Sequence, residues 1–291
     1  MARYAATRVV GLAALGGLAA LGLGTFDAGP ANGAARSANE NAPVATSVRF
    51  KVSLRVQMPK QYAIALSASG QMDFAHHALQ ALVIVPTPGL QPATSKKAGT
   101  LTKAKPVHLS GKWVGGHVYV ALPASLAALV NGAREVSVPV SANTGHEVDT
   151  ALDQSAVALS YAKILLTDLA GHQPQHALAP RTMNGVAVTG TQVDLTLAEL
   201  LKVVPPLVPA MQGQDAAMAN QTIPVTLWID HRGRLVEATM ATVKGSPDLL
   251  NGSVTFSDYD AKVHITAPPS GSVTPIPASM RRLLAGLNPF G

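Results

Sequence analysis

VRFKVSLRVQM, residues 48–58, decides how this chain folds. Its even positions are Val48, Phe50, Val52, Leu54, Val56 and Met58, and its odd positions are Arg49, Lys51, Ser53, Arg55 and Gln57. Strict alternation sends apolar side chains to one face of a strand and polar ones to the other, a period a helix cannot satisfy. A long strand with one wet face belongs to an antiparallel sheet resting on a core. Pro59 and Lys60 turn the chain, and Tyr62, Ile64, Leu66, Ala68, Gly70, Met72 and Phe74 repeat the pattern against small or polar partners. Long strands in a wide sheet curl, and Gly70 is the expected place for a bend or bulge.

Working outward, residues 78–85 are more uniformly apolar and predict a strand covered on both faces. Residues 86–106 break the pattern with Pro, Gly and four lysines (Lys96, Lys97, Lys103 and Lys105), and read as a long exposed loop. Gly115-Gly116 between two alternating runs (107–114 and 117–122) is a hairpin signal, because both turn residues tolerate positive φ. A short helix is expected over 123–131 and a strand over 133–140. Asp149 or Thr150 then caps a helix running to Leu169 or Ala170, with Leu152, Ala156, Leu159, Leu166 and Leu169 as its apolar stripe and Gly171 and Pro174 as its stop. A strand over 186–195 follows the turn Met183-Asn184-Gly185. Thr196 and Glu199 form a capping-box pair opening an apolar helix over 197–204. After a polar loop at 212–221, four closing strands are expected at 224–229, 234–242, 253–259 and 262–266.

The chain starts with Arg3 and Arg8, an uncharged run over 9–26 and small residues at 31–35, the layout of a secretory signal. The apolar run lies near the lower limit for a spanning helix, so a retained signal-anchor stays open beside cleavage. Residues 1–35 thus read as a signal peptide, 36–43 as a linker, 44–269 as one domain and 270–291 as a proline- and glycine-rich tail. The exported protein is expected in the cell envelope, periplasmic or secreted. There is no cysteine, which excludes disulfides, thiolate metal sites and a lipidated thiol anchor. Charged residues are only 13% of the chain against ~25% in an average domain, so Ser, Thr, Gln and Asn must carry the surface. Of the formal +6, Arg3 and Arg8 lie in the leader and Asp27 just after it, leaving about +5 on the exported part, a hint of anionic surfaces.

Enzyme signatures are broken or missing. His146-Glu147 opens like a zinc-protease helix, but Thr150 stands where the second histidine belongs. His172 and His176 are separated by Pro174, and His76 and His77 would point to opposite sides of a continuing strand. There is no nucleophile elbow and no phosphate-binding loop. No catalysis, cofactor, metal or nucleic-acid partner is expected.

Four segments, in order and spacing, carry a family resemblance: LSYAKILLTDLAG (159–171), MNGVAVTGTQVDL (183–195), PVTLWIDHRGRLVEATM (224–240) and VTFSDYDAKVHITAPP (254–269). Together they resemble the actinobacterial LppX/LprG-type envelope lipoproteins, a family similar to the LolA and LolB lipoprotein carriers; the hairpin GKWVGGHVYVAL (111–122) fits less specifically. The chain departs from the family in lacking the lipobox cysteine and in having Asp260 where glycine is frequent. The resemblance implies an α+β fold: a strongly curved antiparallel β-sheet, a LolA-like half-barrel, with helices packed on the concave side over a hydrophobic cavity for acyl chains. The cavity lining expected on that basis is Phe50, Val52, Leu54, Val56, Ile64, Leu66, Met72, Val118 and Val120, facing Leu159, Leu166, Leu200, Leu201 and Val204. Lys96 and Lys97 are candidates for an acidic headgroup at its mouth. The expected partner is a lipid or acylated ligand, with an anionic membrane surface as a further candidate. The alternative from another class is a structural or regulatory envelope protein that binds another protein through the same fold, its cavity collapsed into an ordinary core.

Overall fold

The computed structural model describes residues 44–57, 63–85, 106–122, 132–138, 142–160, 175–196, 222–241 and 250–276, together with Ala127, Val140 and Ala162. The expected leader and linker, the lysine loop, the helix over 197–204, the polar loop after it and the chain beyond 276 lie outside the described residues. So does the helix expected over 123–131, apart from Ala127.

Twelve strands form one sheet: β1 (Ser47–Gln57), β2 (Ala63–Asp73), β3 (Ala78–Val85), β4 (Val107–Val114), β5 (His117–Ala121), β6 (Glu135–Val138), β7 (Gln175–Met183), β8 (Val186–Thr196), β9 (Thr222–Asp230), β10 (Leu235–Met240), β11 (Leu250–Ser257) and β12 (Thr274–Pro275). Their order is β12-β6-β5-β4-β3-β2-β1-β11-β10-β9-β8-β7, a curved sheet that does not close, since no pairing joins its two ends among the described residues. Every pairing is antiparallel except the two-residue contact of β12 with β6. Two meanders, β1 to β6 and β7 to β11, meet where β1 pairs β11. The tight hairpins are chemically determined: Gly115 and Gly116 take φ of 57° and 74°, and Asn184 and Gly185 take 50° and 79°, the left-handed pair that a two-residue hairpin matched to strand twist requires.

The expected alternation is realised in β1 wherever its side chains are described: Val48, Phe50 and Val52 are buried while Arg49, Lys51, Ser53 and Arg55 are exposed. Along β2 the ladder runs through Gly70 without a register shift. The glycine is needed for another reason: a Cβ there would lie 2.1 Å from the Gln80 carbonyl and 2.7 Å from the Phe50 ring. In β3 only one face is covered. Leu79, Ala81 and Val83 are buried, but Leu82 is 38% exposed, because no helix of the described residues lies over the outer face.

The single described helix of regular α type, α1, spans Ala142–Ser160 and so begins before the Asp149 or Thr150 cap expected from sequence. Asp149 has another partner: its carboxylate accepts a hydrogen bond from the indole Nε1 of buried Trp113 on β4, at 3.1 Å. Leu152, Ala156 and Leu159, spaced four and three apart on one helical face, join Val48, Phe50, Met72, Trp113 and Phe256 in the main core. Two further bonds fix the helix. Ser160 Oγ accepts from the Ala45 amide at 2.8 Å, and the His77 Nε2–H donates to Asp153 Oδ1 at 2.9 Å.

One strand was not expected from the sequence, and one expected strand is absent. β7 carries little alternation and contains Pro180, which removes a ladder donor; it survives as the sheet edge, with a register break between Leu178 and Arg181. Conversely, residues 262–266 alternate but pair with no strand among the described residues. They form an extended strap: Ser47 Oγ donates to the Ala261 carbonyl, Lys112 Nζ to the Thr266 carbonyl, and Thr274 then pairs with Val136. The strap thereby touches β1, β4 and β6 in turn, burying Ile265 and Ile276.

Candidate apolar ligand face

Register turns the alternating strands into apolar rows that cross the sheet. One row reads Val83, Ala68, Val52, Val254, Ala238 and Leu227 from β3 to β9. The next reads Leu66, Leu54, Gly252, Met240, Val225 and Val193 from β2 to β8. Burial along the rows is uneven. Val83, Ala68, Val52 and Val193 are buried, whereas Val254, Ala238, Leu227, Met240 and Val225 are each only half-buried although they share the core's face. These five side chains form a contiguous apolar patch on β9, β10 and β11 at the margin of the main core.

Of the residues expected to line a cavity, Phe50, Val52, Met72 and Leu159 are packed within the core, at 2%, 8%, 1% and 0% exposure. Val118 and Val120 on β5 are half-buried. Leu54 pairs with Leu66 and Val56 with Ile64, in the same alternate register positions as Phe50 and Val52. Leu166, Leu200, Leu201, Val204, Lys96 and Lys97 lie outside the described residues. The half-buried patch was not singled out from sequence. Its strands were recognisable, but the register break between Leu235 and Glu237 changes the phase of β10 against β9, and a one-residue shift reverses which face a side chain joins.

The face is chemically plain. Among the described residues no buried side-chain nitrogen or oxygen lacks a partner, so it offers a ligand desolvation and dispersion, with no unpaired polar group needing one. No group of three or more His, Asp or Glu among the described residues is placed to hold a metal. His76 and His77 sit in the turn after β2, each against its own carboxylate, Asp73 and Asp153.

The motif residues of the closing segments converge on a corner elsewhere. Asp230 Oδ1 accepts from the backbone amides of Arg232 and Arg234, and its Oδ2 accepts from Arg234 Nε at 2.8 Å. The Arg234 guanidinium lies 4.5 Å from the centre of the Tyr259 ring, and the Tyr259 hydroxyl donates to the Leu235 carbonyl. Burial pushes the Tyr259 phenol far above its ordinary range, the nearby Arg234 charge opposing only part of that, so it acts as a neutral donor. Asp260 takes φ of 61°, the left-handed conformation that glycine reaches most cheaply. Its carboxylate accepts from the Thr46 amide at 2.9 Å, which ties the end of β11 to the entrance of β1. This corner fastens the two meanders; it belongs to the scaffold rather than to a ligand.

No family model and no curated protein matches the chain. Solved structures do. The lipoprotein LppX of Mycobacterium tuberculosis aligns over 81% of this chain and 96% of its own, at 16% identity and a TM-score of 0.42. LprF from Mycobacterium bovis aligns over 82% and 96%, at 16% identity and a TM-score of 0.44. A LolA superfamily protein from Nitrosomonas europaea aligns over 81% and 94%, at 10% identity and a TM-score of 0.25.

Proposed function

We propose that this protein holds the acyl chains of a lipid or an acylated ligand against the apolar face of its sheet, in the cell envelope, and carries or presents them there without catalysis. The observation that carries the reading is the half-buried patch of Val225, Leu227, Ala238, Met240 and Val254, which continues the rows of a dry core. Further support comes from the motif order that resembles the LppX/LprG-type family. Each methylene removed from water contributes roughly 0.8 kcal/mol, so an acyl chain laid along these rows needs no charged contact to be held.

The test is organic extraction of the purified protein followed by mass spectrometry. Lipid should co-purify in repeated preparations, near one ligand per chain, and Leu227→Asp should deplete it. Repeatedly lipid-free preparations that also fail to take up added lipid would refute the reading. The completely buried Phe50, Met72, Trp113 and Leu159 favour a second reading for the region beneath α1, that of a closed core in a protein-binding envelope component. A lipid-free protein of unchanged stability would leave that one standing.

A further inference from the structure

The outer, polar face carries a feature that the lipid reading does not use. A groove of about 470 Å³ crosses it, lined by Arg49 and Lys51 of β1, Ser69 and Gln71 of β2, Gln80 and Leu82 of β3, Ser110 of β4, and Ser257 and the carboxylate of Asp258 at the end of β11. Its shape follows from residue volumes in two neighbouring cross-strand rows. One row carries long polar side chains, Arg49, Gln71, Gln80 and Lys112 in register. The other alternates, Lys51 and Leu82 with the short side chains of Ser69 and Ser110. The serines recess the floor and the amides and cations form a wall.

Charge and polarity are specific within the groove. Arg49 is paired with Asp258 at 3.2 Å, but Lys51 has no carboxylate within ion-pair distance among the described residues. Gln71 Nε2 and Gln80 Oε1 stand 3.4 Å apart, so two amides sit side by side across the strands. Leu82, one of the few exposed large apolar residues, interrupts the row of serines. Five adjacent strands at about 4.8 Å spacing give a trough of about 20 Å. From these features we infer that the groove binds a linear anionic oligosaccharide, its hydroxyls on the amides and serines, the CH face of a sugar ring on Leu82 and its carboxylate on Lys51. A flat bilayer would rest on the long side chains and leave the recess empty. A nucleic acid would find no exposed aromatic platform in the lining, since the Phe50 ring is turned to the core.

The test titrates the full-length protein with an oligogalacturonate, with a neutral malto-oligosaccharide of equal length and with phosphatidylglycerol vesicles, followed by calorimetry and by amide chemical shifts. Oligogalacturonate is expected to bind with salt-sensitive affinity and to shift β1, β2 and β3. The neutral sugar should bind more weakly. Lys51→Ala and Gln80→Ala should each cost about tenfold, the scale of one charge-assisted or paired hydrogen bond, and Ser69→Trp, which fills the recess, should abolish binding. Unchanged melting temperatures would confirm that these surface variants fold. Absence of oligogalacturonate binding, equal binding of both sugars, affinity insensitive to the three substitutions, or vesicle binding lost with Lys51→Ala would each overturn the inference. The site lies on the face opposite the apolar patch, so its failure leaves the lipid reading untouched.

Discussion

Gly70 and Gly190 are where single atoms decide the sheet. The Phe50 ring covers Gly70, and the Trp228 ring covers Gly190 so closely that a Cβ there would stand 2.6 Å from it. The two pairs lie on opposite faces, Phe50 in the main core and Trp228 in a smaller cluster with Val188 and Val236. The Trp228 ring also carries the Arg181 guanidinium at 3.7 Å, which bonds Glu237. Gly70→Ala has to displace a backbone carbonyl as well as a ring, so it should cost about 1–3 kcal/mol in denaturant unfolding, and more than Gly190→Ala, which meets only a side chain. A glycine in a strand was legible as special from sequence, but not its reason, because the residue that fills its space sits on the neighbouring strand. Tyr259 gives a pH prediction. Below about pH 10, the ordinary phenol value, folded and unfolded chains both keep its proton and stability is indifferent to it. Above that the unfolded chain ionises first and binds fewer protons, so stability should fall with rising pH. Tyr259→Phe should flatten that alkaline limb in pH-dependent unfolding, at a cost in stability at neutral pH from the lost bond to the Leu235 carbonyl.

At the scale of elements, α1 is held to the sheet by an apolar stripe and by polar links to β4, to the turn after β2 and to the chain entering β1. The indole of Trp113 is fully buried, so removing its acceptor strands an N–H. Asp149→Leu should therefore cost about 1–3 kcal/mol by fluorescence-monitored unfolding, and Asp149→Asn, which keeps an oxygen acceptor, much less. The helix stripe Leu152, Ala156 and Leu159 was readable from spacing alone, as were β1, β2 and the Gly115-Gly116 hairpin, because in each the local period and the tertiary environment agree. β7 was not readable, since Pro180 and an edge position suppress alternation. Residues 262–266 misled for the opposite reason. Their alternation is real, with Ile265 inward and Lys262, His264 and Thr266 exposed, but an extended segment without a neighbouring strand is a strap. Severing the strap's anchor with Ile276→Asp should loosen β6, seen as faster hydrogen exchange there than in β1.

Over the whole described sheet there are two unlike surfaces: apolar rows that carry the core and run out into a half-buried patch, and an outer face of serines, amides and the charged positions of β1, with the small Trp228 cluster on β8 to β10. The first surface was partly visible in sequence through β1 and β2. Its half-buried extension on β9 to β11 was not, because register across the β1–β11 seam and past the break at Leu235 is a tertiary fact. If the patch is a ligand site, Met240→Trp fills empty or lipid-filled space, leaving the melting temperature nearly unchanged while reducing bound lipid. If the interior is closed, the same substitution overpacks it and lowers the melting temperature by several degrees. The most direct measurement is methyl NMR with a fatty acid carrying a nitroxide on its chain. Line broadening should centre on Met240, Leu227, Val225 and Val254 and spare the dry core at Val48 and Leu159. Broadening confined to the outer face, or none at saturating fatty acid, would contradict the assignment of that patch as the seat of the acyl chain.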